Sequence, residues 1–170
     1  DAFLAQAFPR GVAFPDLPPL PRLPELPVAE GVRAFSIDDA TTVEIDDAFS
    51  VRELPGGRTS VGIHIAAPAV SILHGDAYDA VARSRLSTVY MPGRKITMLP
   101  EDVVEHFTLA AGHDVPAISL YLDVAADYRL LGPGWHAEQG VLVHGPDITP
   151  DLSWNPPEAG SPLDRLSPLI

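Results

Sequence analysis

The sequence has no cysteine, few basic residues and no long apolar run, and each lack removes a class of function. Without cysteine there is no disulfide framework, no thiolate zinc site and no cysteine nucleophile. Without a long apolar run there is no transmembrane span, and residues 1–8 lack the basic flank of a signal peptide. Only 11 Lys and Arg stand against 23 Asp and Glu, a net charge of -12, which is the opposite of the basic footprint of a simple nucleic-acid binder. The histidines show no HExxH spacing, and there is no G-x-S-x-G elbow and no G-x-x-x-x-G-K-[ST] phosphate loop.

What is present is proline and enough apolar residue to build a core. The 170 residues fit one domain of common size, and with 46% hydrophobic residues the charge does not imply disorder of the whole chain. The 19 prolines divide the chain into three parts. Residues 1–33 form a proline-rich arm, with seven prolines from Pro9 to Pro27. Their spacing suits extended polyproline II and forbids a long helix. We read the arm as a stiff linker laid over the surface; a PxxP ligand for an aromatic groove is the alternative, supported by spacing alone. Residues 34–143 read as the folded part. Residues 144–170 carry six further prolines and read as loop or as a continuation. The first residue is Asp, and we expect the chain to be one piece of a longer protein.

Within the folded part, Ala34–Asp38 and Ala48–Glu53 read as strands, Leu54–Arg58 as a turn and Thr59–Ala66 as a strand with Val61, Ile63 and Ile65 on one face. Gly75–Arg85 is helix-compatible, with Ala77, Ala80, Val81 and Ser84 at three-to-four spacing, and Pro100–Phe107 opens with the Pro and two acids that suit a helix N-terminus. Ala117–Val124 alternates, with Ile118, Leu120, Leu122 and Val124 on one face, so it is expected to be a half-buried strand. Trp135–Val143 is a further strand candidate. The class expected is α+β, a mixed sheet with flanking helices.

The chemistry concentrates in Ser36–Ser50, where Asp38, Asp39, Glu44, Asp46 and Asp47 fall within ten residues with no basic residue among them. Carboxylates packed this closely raise one another's pKa unless water, arginines from elsewhere or a divalent cation offset them. Ala34–Ile37 and Ala48–Val51 flank the acids as apolar strand material, so the acids lie between two core strands. In an extended stretch Glu44 and Asp46 would share one side and Asp47 the other; a turn or bulge would bring all of them toward one point. Hard oxygen ligands without His or Cys select Mg²⁺, Mn²⁺ or Ca²⁺, and the EF-hand alternation with its glycine is absent. On spacing alone, a metal site and a solvated acidic loop both fit.

At these residues the sequence resembles the ribonuclease II / ribonuclease R family of processive 3′→5′ exoribonucleases. Ile37-Asp38, Glu44 and Asp46-Asp47 match the four-acid signature that opens its RNB catalytic domain. Val61–Ala66 resembles the strand after the signature hairpin, and Ser87–Pro92 with Ile96–Pro100 resembles the family's T-x-Y-L-P…I-P-M-L-P block. The resemblance implies Mg²⁺-dependent hydrolysis of single-stranded RNA to nucleoside 5′-monophosphates, with Mn²⁺ as the alternative ion. It implies Asp38, Glu44 and Asp47 as metal ligands, with Asp46 also at the metal and most critical to the chemical step. It implies Tyr90 as the aromatic that packs on the 3′ nucleotide, a use open to any base. Arg85 and Arg94, beside Arg83 and Lys95, are candidate phosphate contacts or surface charge. It implies a cytoplasmic protein with no membrane partner.

The match departs from the family at Glu44, where the best-known members have Asp, and at Ala67, which replaces an acid. His64 is expected to be a satisfied structural histidine. The resemblance covers about residues 34–143, the N-terminal part of the family's catalytic domain, so the remainder of that domain, with its phosphate-contacting arginine, is an implied partner outside this chain. These 170 residues alone are expected to be inactive. A catalytically degenerate RNA- or protein-binding member and a cation-binding structural module are the alternatives.

Overall fold

The structure is a computed structural model and describes residues 2–39 and 41–144, the last of them (132–144) as backbone. The proline-rich stretch from residue 145 onward lies outside the described residues. The chain divides into two compact units. One holds the arm up to Pro24 together with Pro68–His106; the other holds Glu25–Ala67 and the described residues from Phe107 to His144.

The second unit is a five-stranded sheet. Strands β1 (Ala34–Phe35), β2 (Asp47–Leu54), β3 (Arg58–Ala66), β6 (Asp114–Val124) and β7 (Leu130–His144) lie in the order β1-β2-β3-β6-β7. Pro55-Gly56-Gly57 turns β2 into β3, as the turn residues anticipate. The α+β class stands, but every pairing among the described strands is antiparallel, where a mixed sheet was expected. Two hairpins account for β2–β3 and β6–β7. The excursion between β3 and β6 returns beside β3 in the opposite sense, with Ile63 level with Leu120.

Both faces of the sheet are covered. On one, Ala34, Ile45, Ala48, Leu109, Val115 and Ala117 form a cluster. On the other, Phe35, Val61 and Val124 pack with Ile37, Phe49 and Val51. The apolar alternation predicted for β3 and β6 exists, but it is not the more buried face. Ile65 and Ile118, directly paired across the two strands, are 45% and 41% exposed, whereas His64 and Ser119 opposite them are fully buried. Small residues and a satisfied histidine allow closer covering on that side than the larger aliphatics do on theirs.

The first unit contains α1 (Ala2–Ala7), a 3₁₀ turn at Pro68–Val70, α2 (Ala77–Arg85), a hairpin of β4 (Val89–Met91) and β5 (Arg94–Ile96), and the body of α3 (Glu101–Phe107). Asp76 caps α2: its carboxylate accepts the amides of Asp79 at 2.8 Å and Leu73 at 2.7 Å. The Pro100 carbonyl accepts the amides of Val103 and Val104 at 3.0 Å each, opening α3 where the Pro and acids predicted it. Pro92-Gly93 turns the β4–β5 hairpin, with Gly93 at φ +70°, a conformation suited to glycine at that turn position.

The arm carries no regular element between Phe14 and Pro27, as its prolines require. Its leucines recur every third residue, and Leu17, Leu20, Leu23 and Leu26 are half-buried while Pro15, Pro18, Pro21, Pro24 and Pro27 are exposed. A three-residue repeat of burial is the signature of a polyproline II helix lying on one edge.

Candidate active site

Backbone and hydroxyl contacts hold the acid-bearing loop within the second unit. Ile45 is buried among Ala34, Ala48 and Leu109. Its amide donates to the Thr108 hydroxyl at 2.8 Å, and its carbonyl accepts the Leu109 amide at 2.9 Å. The Thr108 hydroxyl in turn donates to the Val43 carbonyl at 3.2 Å. The Asp46 carbonyl accepts the Ala66 amide at 2.8 Å, and Asp47 begins β2 opposite Ile65. Thr108 was not singled out from the sequence, because a threonine 63 positions away carries no local sign that it will meet Ile45.

This anchoring sets where the acids go. Ile45 and Ala48 enter the same core cluster although three residues apart, and the adjacent Asp46 and Asp47 between them are both exposed. In a regular strand two adjacent residues would face opposite sides. Glu44 and Asp38 are half-buried. Strand β1 ends three residues before Asp38, and β2 begins with Asp47, so Asp38, Glu44 and Asp46 lie on the connection between the two strands. Asp39 is engaged locally: its carboxylate accepts the Thr41 hydroxyl at 2.6 Å and the Thr41 amide at 2.9 Å. The hydroxyl first and then the amide hold the Asp39 carboxyl below its ordinary range.

Four of these acids thus lie along the short stretch that joins β1 to the start of β2. Among the described residues, no three His, Asp or Glu side chains are gathered closely enough to hold an ion. In kind, the donor set of Asp38, Glu44, Asp46 and Asp47 fits a hard divalent cation, being all carboxylate oxygen. Ser36, two residues before Asp38, is fully buried and its hydroxyl has no partner among the described residues.

Behind the acids, His64 links three strands. One ring nitrogen meets the Ser119 hydroxyl and the other the Ser50 hydroxyl, both at 2.8 Å. Burial lowers the His64 pKa to about 4, so the ring is neutral near pH 7 and each serine supplies whichever role the tautomer leaves open. Gly62 leaves the room this needs. A Cβ there would be driven into the Ser50 hydroxyl and stand 2.7 Å from His64 Nε2. The structural role expected of His64 is what its surroundings provide; its serine partners were not foreseen.

In the other unit, the hairpin presents Tyr90 on β4, opposite Lys95 and 71% exposed. Arg94 is exposed at the start of β5. Arg85, grouped with it as a candidate phosphate contact, has a different environment. Its guanidinium donates to the Thr97 carbonyl at 3.0 Å and the Val12 carbonyl at 2.6 Å, and lies 3.7 Å from the centre of the Phe14 ring. Two of its terminal nitrogens are turned to the protein's own backbone.

The RNB domain family matches residues 29–151, well over half of the chain. Two curated Arabidopsis thaliana proteins, DIS3-like exonuclease 2 and the inactive exonuclease DIS3L2, are each 42% identical over 90 residues, covering 52% of this chain and 8% of theirs. Exoribonuclease 2 of Vibrio cholerae is 37% identical over 93 residues, covering 54% of this chain and 14% of its own. Among solved structures, the yeast pseudonuclease Ssd1 superposes with a TM-score of 0.73 at 20% identity, over 91% of this chain and 20% of that one. Mycoplasma genitalium RNase R in complex with double-stranded RNA superposes with a TM-score of 0.64 at 18% identity, over 71% of this chain and 21% of that one. These two likenesses are of fold. The chain spans 8 to 14% of the length of the curated relatives, which are named as exonucleases or exoribonucleases, one of them as inactive.

Proposed function

The chain belongs to the RNB domain family, and on that premise we propose that its acid-bearing loop contributes the hydrolytic centre of a 3′→5′ exoribonuclease that degrades single-stranded RNA to nucleoside 5′-monophosphates. The observation that carries this reading is that Asp46 and Asp47 are both exposed between Ile45 and Ala48, which are buried in one core cluster, on a segment pinned by Thr108. Asp38, Glu44 and Asp47 would hold Mg²⁺, or Mn²⁺ in its place, with Asp46 nearest the chemical step. When bound, such ions supply activation of water and neutralisation of charge on the scissile phosphate. The protein's part is to hold the carboxylates ready, through Ile45, Thr108 and the Asp46 carbonyl. Tyr90 would stack on a base and Arg94 would contact a phosphate, while the remaining basic path comes from the rest of the catalytic domain.

The test is Asp46→Asn in the full-length protein. Hydrolysis of oligo(A) is expected to fall by a factor on the order of 100 or more, the scale of losing a group made for the transition state, with RNA affinity largely kept. An unchanged turnover rate would sink the reading.

A second reading has specific support: a family member that binds RNA without hydrolysing it. Glu44 adds a methylene where the best-known members have Asp, no three acids converge among the described residues, and one similar protein is named inactive. Mg²⁺-dependent release of mononucleotides by the full-length protein would rule it out.

A further inference from the structure

We propose that Arg85 is a positioning residue that ties the N-terminal arm to the base of the Tyr90 hairpin and so sets how Tyr90 is presented to RNA. The proposal rests on the stacking role given to Tyr90 above and goes beyond it by assigning the arm and Arg85 to that same site.

Arg85 is the last residue of α2, half-buried, and joins three segments distant in sequence. One terminal nitrogen donates at 3.0 Å to the carbonyl of Thr97, the residue after β5. The other donates at 2.6 Å to the carbonyl of Val12 in the arm. The guanidinium carbon lies over the Phe14 ring, 3.7 Å from its centre, with the buried Phe8 ring at 5.7 Å. A planar, forked cation is suited to this: two donors reach two carbonyls while its face meets a ring, which a lysine cannot reproduce. The arm is fixed to α2 a second time, where the Tyr78 hydroxyl donates to the Pro18 carbonyl at 2.7 Å.

The hairpin has need of such an anchor. It has only two strands of three residues each and belongs to no larger sheet among the described residues. A two-stranded ribbon of that size is marginal by itself. Its base is held by the Met98 amide on the Thr88 hydroxyl at 3.3 Å and by Arg85 on Thr97. Tyr90 stands near the far end, so looseness at the base becomes displacement of the ring. An exposed aromatic that must be ordered on binding loses part of its stacking gain to that ordering.

The test uses three variants of the full-length protein: Arg85→Lys, Phe14→Leu and Arg85→Gln. Arg85→Lys and Phe14→Leu are expected to speed amide hydrogen exchange across residues 88–98 about tenfold. They should also raise KM for oligo(A) about three- to tenfold with kcat unchanged, within the range of one base stack. In a Tyr90→Ala background neither should raise KM further, because both act through Tyr90. Arg85→Gln should leave the salt dependence of RNA binding unchanged. A log–log slope shallower by about 0.7, the value for one lost phosphate contact on a single strand, would overturn the proposal by assigning Arg85 to the RNA directly. Unchanged exchange in the hairpin of both Arg85→Lys and Phe14→Leu also overturns it, whatever Tyr90→Ala does. A KM unmoved by Tyr90→Ala, with hairpin exchange still accelerated, overturns the stacking role of Tyr90 and supports the anchor.

Discussion

His64 shows how a single residue couples the stability of the sheet to pH. Its ring is fully buried between Ser50 and Ser119, and burial brings its pKa from 6.5 to about 4. Between those values the unfolded chain binds a proton that the folded chain does not. Stability from this group is therefore complete above about pH 6.5 and is lost as pH falls toward 4, with a limiting loss of about 3 kcal/mol. Denaturant melts of the intact protein between pH 7.5 and 4 check this, and His64→Gln should flatten that part of the curve. A His64 NMR signal titrating near 6.5 would contradict it. Gly62→Ala tests the same packing from the other side. The added methyl meets the Ser50 hydroxyl and the His64 ring, so a destabilisation of about 1–3 kcal/mol is expected from chemical melts.

Among the elements, α2 ends under strain. Leu86 caps it at φ +69° and ψ -37°, although its side chain is 81% exposed and gains nothing from burial there. The conformation turns the chain from α2 into β4 within three residues. Leu86→Gly is expected to stabilise the protein by up to about 1 kcal/mol, since relief of a strained φ outweighs the extra flexibility of glycine in the unfolded chain. A lower thermal midpoint would refute this. Most elements were legible beforehand. Turn residues marked the β2–β3 hairpin, and Pro100 with its two acids marked the start of α3. Strands β3 and β6 were found by alternation, but alternation does not reveal which face is buried more deeply. On β6 that face is Ala117, Ser119 and Tyr121, while Ile118 is 41% exposed. The triplet spacing of leucines in the arm was present in the sequence as well, and burial now gives it meaning.

For the molecule as a whole, the -12 charge would by itself argue against a nucleic-acid partner. The acids between Asp38 and Asp47 alter that reading, because bound cations would offset much of their charge. A ligand that binds the folded state alone stabilises it, by about 2.7 kcal/mol at a concentration 100 times its dissociation constant. Mg²⁺ should accordingly raise the thermal midpoint of the full-length protein, and Asp38→Asn or Asp47→Asn should reduce the shift. Equal shifts in the variants would place the bound ion elsewhere.

Local spacing was sufficient for most of the elements and for the clustering of the acids, since helix and strand periods, turn residues and runs of carboxylates are properties of neighbours along the chain. It could not disclose that Thr108 pins Ile45 from 63 residues away, nor that Arg85 reaches back 73 residues to Val12. Those contacts bear on the exposure of Asp46 and Asp47 together, and they bring the Arg85 guanidinium to the arm. They depend on which surfaces meet when the chain closes, and an unpaired buried donor or cation is too costly to be left without such a partner.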